Sequence, residues 1–144
     1  MRTREKLEDI VVKRLFLMGY TKDRILTNKH VEGIGEFDIL VILRKRSFLR
    51  KEEILAIECK HWSSGTFPLP EYLKFAKKCD LLAKEWGAIV YQAVVTTVPP
   101  SKGLKTHLNR LKRKFKYHGY WQVGSEGEYS WESSGLPSIL QHYR

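Results

Sequence analysis

Apolar residues recur first at helical spacing. Leu7, Ile10, Val11, Leu15 and Met18, with Arg14 among them, fit one face of a helix over 3–18, and Gly19 closes it as a left-handed cap would. The period then changes. A short strand is expected near Arg24 to His30, Gly33 and Gly35 break the chain, and FDILVIL (Phe37 to Leu43) reads as a buried strand. A basic turn region from Arg44 to Lys51 separates it from a second β-type run, EEILAIECK (Glu52 to Lys60). Pro68 and Pro70 precede a helix from Glu71 to Trp86 with Tyr72, Phe75, Ala76, Cys79, Leu82 and Ala83 on its apolar side and Gly87 at its end. AIVYQAVVTT (Ala88 to Thr97) is the next buried strand, stopped by Pro99 and Pro100. The pattern predicts an α/β core in the order helix, three strands, helix, strand.

Beyond Pro100, Ser101 is placed to cap a further helix. Leu104, Leu108, Leu111 and Phe115 form its stripe, and Lys105, Arg110, Lys112, Arg113, Lys114 and Lys116 cover much of the rest. No acidic residue occurs between Glu85 and Glu126. Turn residues Gly124 to Gly127 then set up a small hairpin in which Trp121 faces Trp131 and Val123 faces Tyr129. Such an aromatic face could stack bases, but on a two-stranded ribbon it more often packs against its own domain. No repeat, low-complexity segment or linker divides the chain, which reads as one domain over 1–144: a core of about 3–98 and an extension of about 101–144.

The two central strands make a hairpin whose register carries the chemistry. With the loop centred on Phe48, Asp38 falls opposite Glu58 and Arg44 opposite Glu52. Two carboxylates then share one face, with Lys60 two residues further along it. Glu8 is the odd member of the first helix, because Val11, Val12 and Leu15 are its neighbours on the apolar stripe. It is either a carboxylate at the edge of the core or part of a site.

Composition narrows the classes. The 144 residues are 42% apolar, enough for a core and too many for wholesale disorder. The longest aliphatic run, Ile39 to Leu43, falls far short of the roughly 20 residues a bilayer needs, and the polar N-terminus has no signal-peptide core. Cys59 and Cys79 have no CxxC partner and no His at zinc-ligand spacing, so a reduced, cytoplasmic setting without structural zinc is expected. His107 with Asn109 lacks a second His, Gly33-x-Gly35 lacks the third glycine of a dinucleotide loop, and neither GxSxG nor a P-loop occurs. Lys and Arg number 26 against 16 Asp and Glu, a formal charge of +10, and the partner this suggests is a polyanion, nucleic acid first.

Asp38, Glu58 and Lys60 are the residues that phosphodiester hydrolysis requires. Carboxylates hold a hard cation through oxygen, the cation neutralises the phosphate and activates water, and a nearby ammonium orients that water or stabilises developing charge. The plain alternative for an acid and a base at i and i+2 is an edge ion pair.

At these residues the chain resembles the PD-(D/E)xK nuclease superfamily of restriction-endonuclease-like fold, and within it the Mrr-like endonucleases and the archaeal Holliday junction resolvases. LEDIVVKRLFLMGY looks like the family's opening helix with its acid at Glu8, EFDILVI carries the motif Asp at Asp38, and ILAIECKHW carries Glu58 and Lys60. Phe37 stands where the motif name has Pro, and the basic helix with its aromatic hairpin is an addition. The resemblance covers about 5–97 and implies a Mg²⁺-dependent DNA endonuclease, with Mn²⁺ as a substitute. It implies catalytic Glu8, Asp38, Glu58 and Lys60, and metal ligation by Asp38, Glu58, the Cys59 carbonyl and Glu8. Duplex or branched DNA would be gripped by Arg44, Lys45, Arg46, Arg50 and Lys51 and by Lys105, Lys112, Arg113 and Lys116. A homodimer without membrane attachment is expected. The alternatives are a structure-selective Holliday junction resolvase and a catalytically silent nucleic-acid-binding module on the same fold.

Overall fold

The computed structural model describes residues 6–114, 119–123 and 129–132; the side chains of 112–114 and 129–132 are not included. The runs that lack a polar side are those buried on both faces. Ile39, Leu40 and Val41 of β2 (Gly35–Arg44) and Ile54, Leu55 and Ala56 of β3 (Glu53–Lys60) are fully buried in the middle of a six-stranded sheet. The remaining strands are β1 (Ile25–Val31), β4 (Ile89–Thr96), β5 (Gly119–Val123) and β6 (Tyr129–Glu132), and the sheet runs in chain order from β1 to β6. β1, β2 and β3 are antiparallel, β3 to β4 and β4 to β5 parallel, and β5 to β6 antiparallel.

Each parallel step needs a crossover, and the two helical segments supply them. α2 (Leu69–Trp86) joins β3 to β4 and α3 (Lys102–Lys114) joins β4 to β5. Tyr72, Phe75, Cys79 and Leu82, with Leu104 and Leu108, pack on one face against Leu40, Ile54, Ala56 and Val94. On the other face α1 (Leu7–Leu17) lays Leu7, Ile10, Val11 and Leu15 against Ile39, Val41, Leu55, Ile57 and Val95. The result is a three-layer α/β sandwich. Truncating a fully enclosed member such as Phe75 should cost about 3–5 kcal/mol.

α2 begins at Leu69, two residues before the expected Glu71, because Pro70 in the first turn lacks an N–H that the helix does not use there. Gly87 ends it in the left-handed region with φ 57°. Ser101 caps α3, its Oγ accepting from Leu104 N–H at 3.1 Å. The tail hairpin has the expected pairing, Trp121 with Trp131 and Val123 with Tyr129. Trp121 is fully buried in the α1 layer, so its ring packs on its own domain.

The central hairpin corrects one pairing. From Ile39–Ile57 to Ile42–Ile54 the partners are those expected, but Arg44 faces Glu53 and not Glu52. Ser47 and Arg50 exchange backbone hydrogen bonds at 3.1 and 3.3 Å, which centres the turn between Phe48 and Leu49. Leu43 is the extra residue that reconciles this turn with the inner register, a bulge on β2. No helix among the described residues is long and apolar enough to cross a membrane.

Candidate metal centre

The carboxyl ends of adjacent parallel strands are where open α/β sheets bind ligands. Glu58 and Lys60 stand at that end of β3, where Lys60 pairs with Thr96 of β4. The loops that follow are knitted together. Phe67 N–H donates to the Pro99 carbonyl and Ser101 N–H to that of Phe67, both at 2.9 Å, and Trp62 N–H donates to Thr97 Oγ1 at 2.9 Å.

β2 brings Asp38 to the same end, and the Cys59 N–H donates to its Oδ2 at 2.8 Å. Asn28 of β1, between the ladder pairs Thr27–Ile39 and Lys29–Phe37, lies across from Asp38 with φ 50°, a left-handed kink that Asn tolerates better than most residues. α1 directs Glu8, in its first turn, onto the same spot. Glu8, Asp38 and Cys59 each place one potential ligand atom within 4.8 Å of the others. The half-buried Glu8 is thus a carboxylate that the core tolerates because it meets other polar groups at the sheet's end.

Glu58 joins through Asp38. Burial, then a hydrogen bond with Asp38 and the Asp38 charge, push its carboxyl from 4.5 up to about 7, against the opposing pull of Lys78 and Lys60. Two carboxyls bond only across a proton, which the raised Glu58 carboxyl supplies. Burial also pushes the Cys59 thiol far up, reinforced by Asp38, Glu8 and Glu58. A thiol held protonated offers no thiolate, and the donors that remain are hard oxygens.

The structure therefore assembles Glu8, Asp38, Glu58 and Cys59, with Lys60 on the strand that carries Glu58. It adds Lys78, absent from the residues that the sequence pattern singles out. Lys78 donates to the Glu36 carbonyl, stands 4.7 Å from the Phe37 ring centroid and acts on the Glu58 charge. A signal for it exists, since Lys78 interrupts the apolar stripe of α2 between Phe75 and Leu82 as Glu8 interrupts that of α1.

The basic loop lies at the opposite end of the hairpin, and three of its cations are engaged within the fold. Arg44 Nε pairs with Glu53 Oε2 at 3.1 Å, Lys45 with Asp23 at 3.4 Å, and Arg46 donates to the Trp86 and Gly87 carbonyls at 2.8 and 2.9 Å. Arg50 and Lys51 are exposed beside the turn, and Lys105 is exposed on α3. The side chains of Lys112, Arg113 and Lys116 lie outside the described residues. Comparison with protein-family models, curated proteins and solved structures finds no match.

Proposed function

We propose that the chain is a divalent-cation-dependent DNA endonuclease on a restriction-endonuclease-like core, and that Mg²⁺, with Mn²⁺ as a substitute, is its cofactor. The observation that carries this reading is the meeting of Asp38 and Glu58 at the carboxyl end of β3, with Glu8 closing the cluster from α1. The donor set fits the ion: three carboxylates and a protonated thiol favour a hard cation over a soft one. Asp38, Glu58 and Glu8 would hold it, with the Cys59 carbonyl as a further oxygen ligand. When bound, such an ion neutralises the scissile phosphate and lowers the pKa of a ligated water.

The chain's own residues do the rest. The Cys59 N–H fixes the rotamer of Asp38. Glu58 gives up its proton to become a ligand. Lys60 orients the attacking water and stabilises charge at phosphorus, and Lys78 favours the ionised form of Glu58. The excess of +10 supports a polyanionic substrate, with exposed cations such as Lys105 holding the backbone. Two strands call for two such sites, so a homodimer is the assembly proposed.

The test is a cleavage assay on plasmid, linear duplex and four-way junction, each with Mg²⁺ or EDTA. Cation-dependent cutting is expected, and cutting confined to the junction would make the enzyme a resolvase. Binding without cutting in Mg²⁺ and in Mn²⁺ would leave a silent binding module, and undiminished cutting in EDTA would end the metal reading.

A further inference from the structure

The turn of the central hairpin breaks the rules of its own local structure. Two-residue hairpin turns favour Asn-Gly, Asp-Gly or other glycine pairs, because the strand twist is matched by positive φ angles. Here the two turn residues are Phe48 and Leu49. Neither takes a positive φ, since Asn28 is the sole non-glycine residue that does so among the described residues. Phe48 is 100% and Leu49 86% exposed, so these large side chains contribute no packing to the fold. A local rule broken without structural gain is the kind of position at which function is sought.

The surroundings indicate what covers the tip. Arg50 and Lys51 are exposed next to it, and neither enters an ion pair among the described residues. An apolar point with cations set back beside it complements a polyanion that has apolar faces inside it. Nucleic acid is such a polymer: phosphates line its outside, and aromatic or aliphatic side chains wedge between its base steps. A lipid surface shares the negative charge, but two side chains give little apolar area for stable anchoring. Phe48 lies ten residues beyond Asp38 along the hairpin, at most about 33 Å at about 3.3 Å per residue, a length that about ten base-pair steps cover.

Resting on the nuclease reading, we propose that the Phe48–Leu49 tip is a wedge that enters an unstacked base step of DNA while Arg50 and Lys51 hold the flanking phosphates. The wedge selects DNA that opens cheaply at one step: a branch, a mismatch or a flexible pyrimidine–purine step. It is a binding and specificity device, separate from the carboxylates that would cut.

The experiment uses the full chain in EDTA with four-way junctions and mismatched duplexes carrying 2-aminopurine at successive positions. Wild type should raise 2-aminopurine fluorescence severalfold at one or two adjacent positions. The double variant Phe48→Ala, Leu49→Ala should abolish that rise and weaken junction binding at least tenfold. The slope of log K against log salt should not change, because an apolar wedge releases no counterions. Phe48→Trp should restore the signal and show indole quenching on DNA. A 2-aminopurine response identical in wild type and double variant, or DNA binding with no response at any position, overturns the wedge while cleavage by wild type preserves the nuclease reading. Failure of wild type to bind or cut any DNA removes both. A Phe48→Trp emission that ignores DNA and shifts to the blue on phosphatidylglycerol vesicles overturns the wedge in favour of a lipid surface.

Discussion

The Cys59 N–H donates to the Asp38 carboxylate at 2.8 Å across the β2–β3 pair, so a residue proposed as a metal ligand is also an acceptor in the fold. Removing that acceptor leaves a partly buried N–H unpaired, a cost of about 1–3 kcal/mol.

Two substitutions separate the roles. Asp38→Asn keeps an oxygen for the Cys59 N–H and should melt like wild type at about pH 5, where Glu58 is protonated, whereas Asp38→Ala should lose about 1–3 kcal/mol in denaturant titrations at that pH. Both should fail to cut DNA in Mg²⁺. Wild-type cleavage by Asp38→Asn would show that the carboxylate charge is not needed.

Glu58 makes the metal-free protein pH-sensitive. Its carboxyl ionises near 4.5 when unfolded and near 7 when folded, so between these values the folded state binds more protons and stability falls as pH rises. The effect is complete above about 7, where the charged pair with Asp38 is no longer relieved by a proton. Glu58→Gln mimics the neutral form and should melt higher than wild type at about pH 8 in EDTA, with little difference at about pH 5. Mn²⁺ binding by wild type should tighten from about pH 5 to 7, release a proton and level off above. Parallel melting curves for the two proteins at both pH values would contradict this account.

The two lysines should differ in kind. Lys60→Ala should abolish turnover while DNA affinity changes by less than about tenfold, roughly 1.4 kcal/mol, because one ammonium at the reaction centre serves the transition state and many other cations hold the backbone. Lys78→Ala should instead leave slower cleavage whose acidic limb moves to higher pH, since the Glu58 charge loses its helper. Loss of binding in step with loss of cutting would make Lys60 a phosphate clamp.

These residues are unequally legible in the sequence. Hydrophobic period gives β2 and β3, and their symmetry gives the register from Ile39–Ile57 to Ile42–Ile54, hence the approach of Asp38 to Glu58. The shift of Arg44 to Glu53 is hidden, because a bulge depends on how the turn closes and Phe48–Leu49 carries no turn code. Glu8 is visible as a charge on an apolar stripe, and its companions emerge only when α1 lies on the sheet. The engagement of Arg46 is also hidden, since it joins residues some forty positions apart that meet because α2 ends beside the hairpin.

Arg46 therefore gives a prediction opposite to its expected role. Its guanidinium accepts nothing and donates to the Trp86 carbonyl at the end of α2 and to that of the capping Gly87, where a cation also complements the helix dipole. Arg46→Ala should lower stability by about 1 kcal/mol, read as a reduced Tm at unchanged salt slope of DNA binding. Gly87→Ala should destabilise at the same junction, because the position has φ 57° and an added Cβ would sit 3.1 Å from the Arg46 guanidinium. A salt slope lowered by about 0.9 in Arg46→Ala with Tm intact would return the residue to phosphate binding.

α3 is a second candidate for the phosphate grip, beside Arg50 and Lys51. Leu104 and Leu108 bury one side of it, while Lys102, Lys105 and Arg110 are exposed, and its Ser101 cap is tied to the loop after β3 at the site end of the sheet. The helix is fully explained as scaffold by its leucines, so only ligand binding distinguishes a gripping face from a solvated one. Replacing Lys102, Lys105 and Arg110 by Ala should weaken binding across unrelated sequences. It should lower the slope of log K against log salt by up to about 2.7, from roughly 0.9 for each phosphate that a cation no longer neutralises. Stability should stay within about 0.5 kcal/mol of wild type, as for exposed positions in general. Fluorescence anisotropy with a labelled duplex across a salt series reads the affinity and its slope, thermal melting reads the stability, and an unchanged slope with intact affinity would assign α3 to the scaffold alone.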